Sequence, residues 1–407
     1  MYISRHIEDS FRALLGQFPI VVLSGARQVG KSTMLRELFS SEYEYVTFDD
    51  IRLREQAKSS PALFLRNFSG KVIFDEVQYV PELFSEIKLI VDKDKQKGRY
   101  ILTGSQQFHM IKNLRETLAG RAVIMSMSPM TSYEMCGKAA ENHWLVNLLE
   151  KNQLQPNSRI PDSISPEMII RRGGLPELID KDEKFWSIFF ESYIKTYIER
   201  DLPAQYDVVD NVKLSQFLRL LAPYSSQEIN RSQMGREINI SSPTAARWLQ
   251  WLSGANLWTE IPPYHGNMIK RVSKSPKGSL FDTGLICHLL QLTDRNILLS
   301  HPFVGALFET AIRNELATII SSKMLPATIW HWRTPQKQEV DIVIEYKNRL
   351  YAFECKWNPN IRPDDMKGLL DFKKCYGDKV AFMAVLTSYG HQSEIGEGIF
   401  SIPWFQK

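Results

Sequence analysis

The chain lacks several features that would define its class from the start. Its longest apolar run, residues 380–386, is far too short to cross a bilayer. Its four cysteines, at positions 136, 287, 355 and 375, are widely separated and form no Cys-x-x-Cys pair, which argues against a disulfide framework or a zinc site. The first residues lack the basic start and apolar run of a signal peptide. We therefore expect a cytoplasmic protein with no membrane partner.

The chain also lacks a strong excess of either charge. It has 50 basic and 46 acidic residues and a net charge of +4, a balance that neither requires nor excludes nucleic acid. Its 407 residues, 43% of them hydrophobic, exceed what one ordinary core accommodates, so two to four globular domains are expected.

A phosphate-binding motif is present near the start of the chain. Residues 25–32 match the pattern GxxxxGK[ST] in full, after the apolar run 20–24 and before the helical pattern 33–39. Glycines let backbone N–H groups close around phosphates, Lys31 reaches the β- and γ-phosphates, and the Ser32 hydroxyl ligates magnesium. The sequence therefore predicts that ATP and magnesium bind here. The predicted nucleotide-binding residues are Gly25, Ala26, Arg27, Gln28, Val29, Gly30, Lys31, Ser32 and Thr33.

A second motif completes the first. The apolar strand 72–74 ends in Asp75 and Glu76. Asp75 is predicted to hold magnesium together with Ser32, and Glu76 to orient and polarise the attacking water as the catalytic base. Because both motifs are present in the expected order, we predict a magnesium-dependent ATPase.

Two further catalytic candidates have alternative interpretations. The strand 100–103 ends in a polar tip, where Ser105 or Thr103 could sense the γ-phosphate or the attacking water, although a simple turn explains the tip equally well. Arg121 lies just before the next apolar strand. It could act as an arginine finger on the nucleotide of a neighbouring subunit, which makes a homo-oligomer a candidate assembly, or it could form a surface salt bridge.

The hydrophobic pattern predicts an α/β chain with several domains. Five short apolar runs separated by helical or polar stretches predict a parallel sheet domain at 1–165, with an irregular insertion or linker at 137–166. A helical lid or linker is predicted at 166–210. Residues 211–285 are predicted to form a winged helix-turn-helix with strands at 257–261 and 268–272. Basic residues at 270, 271, 274 and 277 either contact phosphates of double-stranded DNA or form a solvated loop.

Six segments carry a family resemblance. They are 72–78 (Val-Ile-Phe-Asp-Glu-Val-Gln), 102–106 (Leu-Thr-Gly-Ser-Gln), 118–121 (Leu-Ala-Gly-Arg), 173–177 (Gly-Gly-Leu-Pro-Glu), 197–201 (Tyr-Ile-Glu-Arg-Asp) and 274–284 (Lys-Ser-Pro-Lys-Gly-Ser-Leu-Phe-Asp-Thr-Gly). In combination the chain resembles the prokaryotic AAA+-type ATPases that carry a C-terminal domain of unknown function. The resemblance implies an AAA-type ATPase core, a winged helix and a nuclease-like C-terminal fold. It implies no reaction beyond ATP hydrolysis.

Acidic residues in the last part of the chain follow the order of a restriction-endonuclease-like core, which we predict at 286–407. Glu309 lies on a predicted helix, Asp341 on a strand, and Glu354 and Lys356 on the next strand. Glu354 and Lys356 share a strand face because they are two positions apart. Such carboxylates can hold magnesium against a phosphodiester while the lysine positions water. Exposed strands often show the same residue types, so nuclease activity stays open.

Two functions are compatible with these patterns. In the first, an AAA-type ATPase couples its nucleotide state to DNA binding or processing through the nuclease-like domain. In the second, it is a nucleotide-driven switch or scaffold for a protein partner, and its nuclease-like domain is not catalytic. Cleavage or binding of DNA would distinguish them.

Overall fold

The computed structural model describes residues 2–104, 117–155, 164–201, 210–266 and 275–406. The chain divides into two compact units. The first contains Met1–Pro129 with the short segments Trp251–Leu257 and Ser321–Met324, and the second contains the remainder. We describe each unit by itself.

The first unit is built on a five-stranded sheet in the order β2-β3-β4-β1-β5, with all neighbours parallel. Its strands are β1 (Ile20–Ser24), β2 (Glu44–Thr47), β3 (Val72–Asp75), β4 (Tyr100–Gly104) and β5 (Ala122–Ser126). Every residue of β1, β3 and β4 is buried, as expected of central parallel strands covered on both faces. The predicted parallel sheet is confirmed.

Helices connect these strands and cover the sheet. They are α1 (Glu8–Leu15), α2 (Lys31–Phe39), α3 (Ile51–Ser59), α4 (Pro61–Arg66) and α5 (Leu83–Asp94), with a 3₁₀ turn at Val77–Tyr79. Aromatic rings fill one core cluster, in which Phe74 stacks on Phe48 and on Tyr100. Because β1, β3 and β4 run parallel, their carboxyl ends meet at one edge of the sheet, and this edge carries residues 25–32, Asp75 and Thr103.

The second unit begins with four helices, of which the first two were not predicted and the last two lie within the predicted helical segment 166–210. They are α6 (Ser132–Met135), α7 (Trp144–Lys151), α8 (Pro166–Arg172) and α9 (Glu183–Tyr193), followed by a π-helical segment at Ile194–Asp201. The prediction of an irregular stretch at 137–166 is wrong where α7 forms, because its residues 144–149 are apolar except for Asn147 and all of them are buried.

The first unit ends at Pro129, whereas the predicted domain boundary lay at 165. Contacts within the second unit explain why the intervening residues belong to it. The Ser132 backbone N–H donates to Glu315 Oε2 at 2.7 Å, and the Trp144 ring meets the Phe353 ring edge-on. These partners lie 183 and 209 positions further along the chain, so no local pattern marks the boundary.

The middle of the second unit holds three helices and a small antiparallel sheet. The helices are α10 (Asn211–Leu221), α11 (Arg231–Glu237) and α12 (Ser242–Gly254), and the strands are β6 (Gln227–Glu228), β7 (Trp258–Ile261) and β8 (Lys277–Leu280). The strand order is β6-β8-β7, with both pairs antiparallel. The predicted strand 268–272 lies outside the described residues, and β8 was not predicted.

The last part of the second unit is a six-stranded mixed sheet in the order β13-β14-β12-β11-β10-β9. Its strands are β9 (Ala327–Arg333), β10 (Glu339–Tyr346), β11 (Arg349–Lys356), β12 (Val380–Gly390), β13 (Ser393–Gly396) and β14 (Ile399–Gln406). β9, β10 and β11 pair antiparallel, whereas β11, β12 and β14 pair parallel. The accompanying helices are α13 (Thr283–Leu289), α14 (Arg295–Ser300), α15 (Val304–Ser322) and α16 (Lys367–Tyr376). Among the residues described, no helix is both long and apolar enough to span a membrane.

Candidate functional site

The loop between β1 and α2 adopts a conformation that depends on glycine. Gly25 and Gly30 have φ values of +149° and +95°. A Cβ atom on Gly25 would lie 2.3 Å from the carbonyl oxygen of Met127, so no other residue fits there. The loop ends where α2 begins at Lys31, and no side chain caps this helix. Its first backbone N–H groups therefore lack intrahelical partners and favour an anion.

Lys31 is folded into the loop. Its Nζ donates to the carbonyl oxygens of Gly25 and Ala26, each at 2.9 Å. Burial lowers the pKa of Lys31 below its ordinary value, although the carboxylates of Glu76 and Asp75 oppose this shift. The ammonium is thus held at the loop, with backbone carbonyls as partners that a phosphate can replace.

Arg5 supports the same loop from outside it. Its guanidinium donates to the carbonyl oxygen of Val29 and to that of Ser128, each at 2.7 Å. Because Arg5 is buried and has fixed donor geometry, it ties the loop to the segment that follows β5.

Asp75 accepts hydrogen bonds from three hydroxyl groups. The Ser32 hydroxyl donates to Asp75 Oδ2 at 2.9 Å, the Tyr45 hydroxyl donates to the same oxygen, and the Thr103 hydroxyl donates to Oδ1. Burial, reinforced by the hydrogen bond to Asp75, raises the pKa of Tyr45 to about 12, so Tyr45 stays a neutral donor. Hydroxyl donors orient a carboxylate without cancelling its charge. Asp75 and Ser32 therefore fit a magnesium ion.

Glu76 follows in a strained backbone conformation. Its φ of +56° is unusual for a residue other than glycine. The Glu76 backbone N–H donates to Thr103 Oγ1 at 3.3 Å, and the Gln78 amide donates to Glu76 Oε2. Thr103 thus contacts both acids of the motif, while Gln78 orients the carboxylate of the second. Ser105, the other predicted sensor, lies outside the described residues.

Arg121 lies at the surface of the first unit. Its guanidinium donates to Asp92 Oδ2 at 2.9 Å and to the Ala119 carbonyl oxygen at 2.9 Å. The ion pair lowers the pKa of Asp92 and raises that of Arg121. The surface salt bridge given by the sequence as an alternative is therefore present, and the finger role stays a prediction.

The second group of predicted site residues lies in the second unit, and Lys277 connects two of them. Lys277 Nζ lies 2.9 Å from Glu309 Oε1 and 3.2 Å from Asp341 Oδ1. Asp341 Oδ2 also accepts the backbone N–H of Cys355 at 2.9 Å. The structure thus brings Glu309 of α15 and Asp341 of β10 together on one ammonium.

Glu354 and Lys356 lie beside this group on β11. Lys356 Nζ lies 3.0 Å from Glu354 Oε1, as strand alternation predicts. Burial, followed by the charge of Asp341, raises the pKa of Glu354 well above its ordinary value, and Lys356 opposes this shift. Among the residues described, no three His, Cys, Asp or Glu side chains are grouped to hold a metal ion. The predicted metal set is therefore not gathered in this conformation, because a lysine already pairs two of its acids.

Lys277 corrects the prediction of a basic phosphate-contacting loop. Its side chain is only 8% exposed and it faces carboxylates, not solvent. The other basic residues of that predicted loop, at 270, 271 and 274, lie outside the described residues.

Family models match the chain in three consecutive regions. Residues 17–136 match an AAA domain. Residues 165–296 match one domain of unknown function, DUF8612, and residues 304–406 match another, DUF4143. The chain therefore joins an AAA domain to further domains of unknown function. The AAA match covers the sheet and both phosphate-site motifs, which confirms the predicted AAA-type domain.

Two similar proteins match along most of the chain. Uncharacterized proteins of Mycobacterium tuberculosis (Rv2008c) and Mycobacterium bovis (Mb2031c) are each 29% identical over 400 residues, which is 96% of this chain and 81% of theirs. Among solved structures, the chain is similar to the RuvB Holliday junction branch migration motor of Thermotoga maritima, with 17% identity, a TM-score of 0.32, and coverage of 67% of this chain and 95% of that one. It is also similar to AMPPCP-bound DnaA from Aquifex aeolicus, with 11% identity, a TM-score of 0.30, and coverage of 61% and 85%. Such low TM-scores carry no functional argument.

Several residues at these sites were missed from the sequence. Gln78 had a local signal, since it stands two positions after Glu76 in Asp-Glu-Val-Gln. No local sequence signal indicated the contacts of Tyr45, Arg5 and Lys277, because each of them reaches its partner from an element distant in the chain.

Proposed function

We propose that the protein is a magnesium-dependent ATPase of the AAA type. The observation that carries this proposal is the 2.9 Å hydrogen bond between the Ser32 hydroxyl and Asp75, formed beside the glycine loop and Lys31. This contact joins the two motifs that a P-loop enzyme uses for phosphate and metal.

Each group has a separate role in the proposed reaction. The backbone N–H groups of the loop and the Lys31 ammonium bind the phosphates of ATP. Ser32 and Asp75 would hold a magnesium ion, which supplies positive charge to the β- and γ-phosphates. Glu76 orients and polarises the attacking water, and Gln78 and Thr103 orient Glu76 and its backbone.

Phosphate release by the purified full chain tests this proposal. We expect magnesium-dependent hydrolysis in the wild type, and a loss of at least a hundredfold in Glu76→Gln with nucleotide binding retained. Glu82→Gln is the matched control, since Glu82 is an exposed glutamate of the same unit, and it should hydrolyse ATP like the wild type. Near-wild-type hydrolysis by Glu76→Gln would overturn the assignment of Glu76 as the base.

We further propose double-stranded DNA as the client of the second unit. Three helices packed with a small antiparallel sheet at 211–285 support a winged helix-turn-helix. The last part of the unit supports a restriction-endonuclease-like domain. Along the chain its elements follow the order α15, β9, β10, β11, α16 and β12. Glu309 lies on α15, Asp341 on β10, and Glu354 and Lys356 on β11. ATP hydrolysis measured with and without double-stranded DNA at low salt tests this client. No binding and no change in rate would contradict it.

One observation favours a non-catalytic second unit. Lys277 pairs with Glu309 and Asp341, the acids that a nuclease would present to a metal ion. In this alternative the protein is a nucleotide-driven switch or scaffold for a protein partner. Magnesium-dependent cleavage of linear double-stranded DNA by the full chain, lost in Asp341→Asn, would rule it out.

A further inference from the structure

An ammonium group stands between two buried carboxylates in the second unit. Lys277 is the first residue of β8, and its Nζ lies within hydrogen-bond distance of both Glu309 Oε1 and Asp341 Oδ1. The three side chains are 8%, 13% and 7% exposed, respectively. A positive group, two acidic oxygens and little water therefore share one small volume.

Electrostatics make this arrangement strong. Burial alone would lower the pKa of Lys277, but the charges of Glu309 and Asp341 outweigh it and raise the pKa above its ordinary value. Burial and the charge of Asp341 raise the pKa of Glu309 to about 8, and Lys277 opposes that rise. The carboxylates thus need a cation nearby, and the lysine supplies it.

A third acid, on the strand that pairs with β10, has an unused oxygen. Ile342 pairs with Phe353 across β10 and β11, so the adjacent residues Asp341 and Glu354 lie together on the opposite face. Glu354 is 7% exposed, and its Oε2 is buried without a hydrogen-bond partner among the described residues. A buried carboxylate oxygen without a donor is costly, and it is a ready ligand for a cation.

A cavity of about 330 Å³ is lined in part by Ser275, two positions before Lys277, and by His331. Burial, together with the nearby Lys277 charge, lowers the pKa of His331 to about 4. The charge of Lys277 therefore acts on a residue in the wall of this cavity.

We propose that Lys277 is a built-in cation that occupies the position between Glu309 and Asp341 in place of a divalent metal ion, and that Glu309, Asp341 and Glu354 bind such an ion once Lys277 withdraws. The exchange is non-covalent: the ammonium keeps its proton and moves away, and the ion takes its place. Magnesium or manganese suits three carboxylates. Because β8 carries the lysine, a shift of β8 opens or closes the site.

This inference rests on the nuclease-like domain proposed above, adds the role of Lys277 to it, and does not depend on ATP hydrolysis. We therefore place the test in an Asp75→Asn background without nucleotide, where the P-loop contributes no acidic metal ligand. Binding of Mn²⁺ to the full chain is then counted by electron paramagnetic resonance. The Asp75→Asn parent should bind Mn²⁺ only weakly. Adding Lys277→Met should create one Mn²⁺ site whose affinity is at least tenfold higher than that of any site in the parent.

Two matched variants control this experiment. Lys356→Met removes a neighbouring lysine that pairs with Glu354 but does not contact Glu309 or Asp341 in the described contacts, and it should gain no site. Adding Asp341→Asn to Lys277→Met should abolish the gain. Equal gains in the Lys277 and Lys356 variants, or no gain in a folded Lys277→Met protein, would overturn the proposal.

Removal of the charge could prevent folding, because the acids would then repel each other. In that case the circular dichroism of Lys277→Met is measured with chelator and with millimolar Mn²⁺, and recovery by the ion is the expected result. Lys277→Gln keeps donor hydrogens for the carboxylates and provides a milder variant. Failure of Mn²⁺ to recover Lys277→Met, or a folded Lys277→Gln protein without a new site, contradicts the proposal.

Discussion

Asp75 in the first unit and Asp341 in the second are both buried aspartates on strands, yet their donors differ. Asp75 is 5% exposed and accepts hydrogen bonds from the hydroxyls of Ser32, Tyr45 and Thr103. Asp341 is 6% exposed and meets the ammonium of Lys277 and the backbone N–H of Cys355. One carboxylate is oriented by neutral groups, and the other is neutralised by a cation.

This difference separates a site prepared for a metal ion from one that is closed. Hydroxyl donors orient the carboxylate and leave its charge available to a cation. An ammonium at 3.2 Å satisfies the charge itself, so an incoming ion must displace it. The residue types alone are thus insufficient to identify an open metal site. Whether the hydrogen-bond donors of the carboxylates are neutral or charged decides whether the site is open to a metal ion.

The largest expected effect comes from breaking the phosphate site. Lys31→Ala removes the ammonium that lies in the loop, and we expect ATP binding to be lost, because a charge-assisted contact to phosphate is removed. Binding of a fluorescent ATP analogue measures this loss. Lys58→Ala, at an exposed lysine of α3, is the control and should bind normally. Unchanged affinity in Lys31→Ala would show that nucleotide binds elsewhere.

Arg121 gives the next largest effect if it acts across a subunit interface. Arg121→Ala should then bind ATP normally and hydrolyse it about 10³-fold more slowly, and mixing with Glu76→Gln should restore some activity, because a mixed interface regains one intact site. Asp92→Ala separates this role from the surface ion pair, since it breaks the pair but keeps the arginine. Equal rates in the Arg121 and Asp92 variants, or no recovery at any mixing ratio, would contradict the finger role.

Tyr45 tests whether neutral donors tune the acid of the first unit. Tyr45→Phe removes one hydroxyl from Asp75, and we expect the magnesium concentration for half-maximal hydrolysis to rise about tenfold, with the rate at saturating magnesium nearly unchanged. Tyr43→Phe is the matched control, because its hydroxyl donates to the Gly98 carbonyl oxygen away from the acids. An unchanged magnesium requirement in Tyr45→Phe would show that this hydroxyl is structural only.

The smallest effect concerns His331 beside Lys277. Because its pKa is lowered to about 4 in the folded chain, the unfolded chain binds more protons between about pH 4 and 6.5. The free energy of unfolding should therefore decrease as pH falls through this window, by at most about 1.4 kcal/mol per pH unit from this residue. Urea titrations at pH 7, 6 and 5 measure the slope. His331→Phe should flatten the dependence of the free energy of unfolding on pH. His391→Gln, at an exposed histidine, is the control and should leave the slope unchanged. Equal slopes in the wild type and both variants would contradict the burial of a neutral His331.

The parts of the molecule that sequence predicted are those with local signals. The pattern from Gly25 to Ser32 lies within one loop and helix start, and the buried strand ending in Asp75 is apolar throughout, so both were recognisable. The order of Glu309, Asp341, Glu354 and Lys356 was also recognisable from strand spacing. Lys277 was not, because its partners lie 32 and 64 positions away and only folding brings β8 to them.

Helix α7 and the Asp75 donors were missed for different reasons. The apolar residues 144–149 of α7 were a local signal, but they lie within a longer polar stretch, and their partners, such as Phe353, come from the last sheet. Tyr45 reaches Asp75 only because β2 pairs with β3 in the sheet. A sequence pattern indicates which groups are present, whereas the contacts between elements determine their charge state.

The number of divalent ions that the wild-type chain binds tests the central claim most directly. Electron paramagnetic resonance of Mn²⁺ with saturating ATP counts the bound ions, and the same count is made on Asp75→Asn and Asp341→Asn. The account predicts one ion per chain, lost in Asp75→Asn and kept in Asp341→Asn, because the hydroxyl-lined acid is open and the lysine-paired acid is closed. Two ions per chain, or an ion lost in Asp341→Asn and kept in Asp75→Asn, would contradict it.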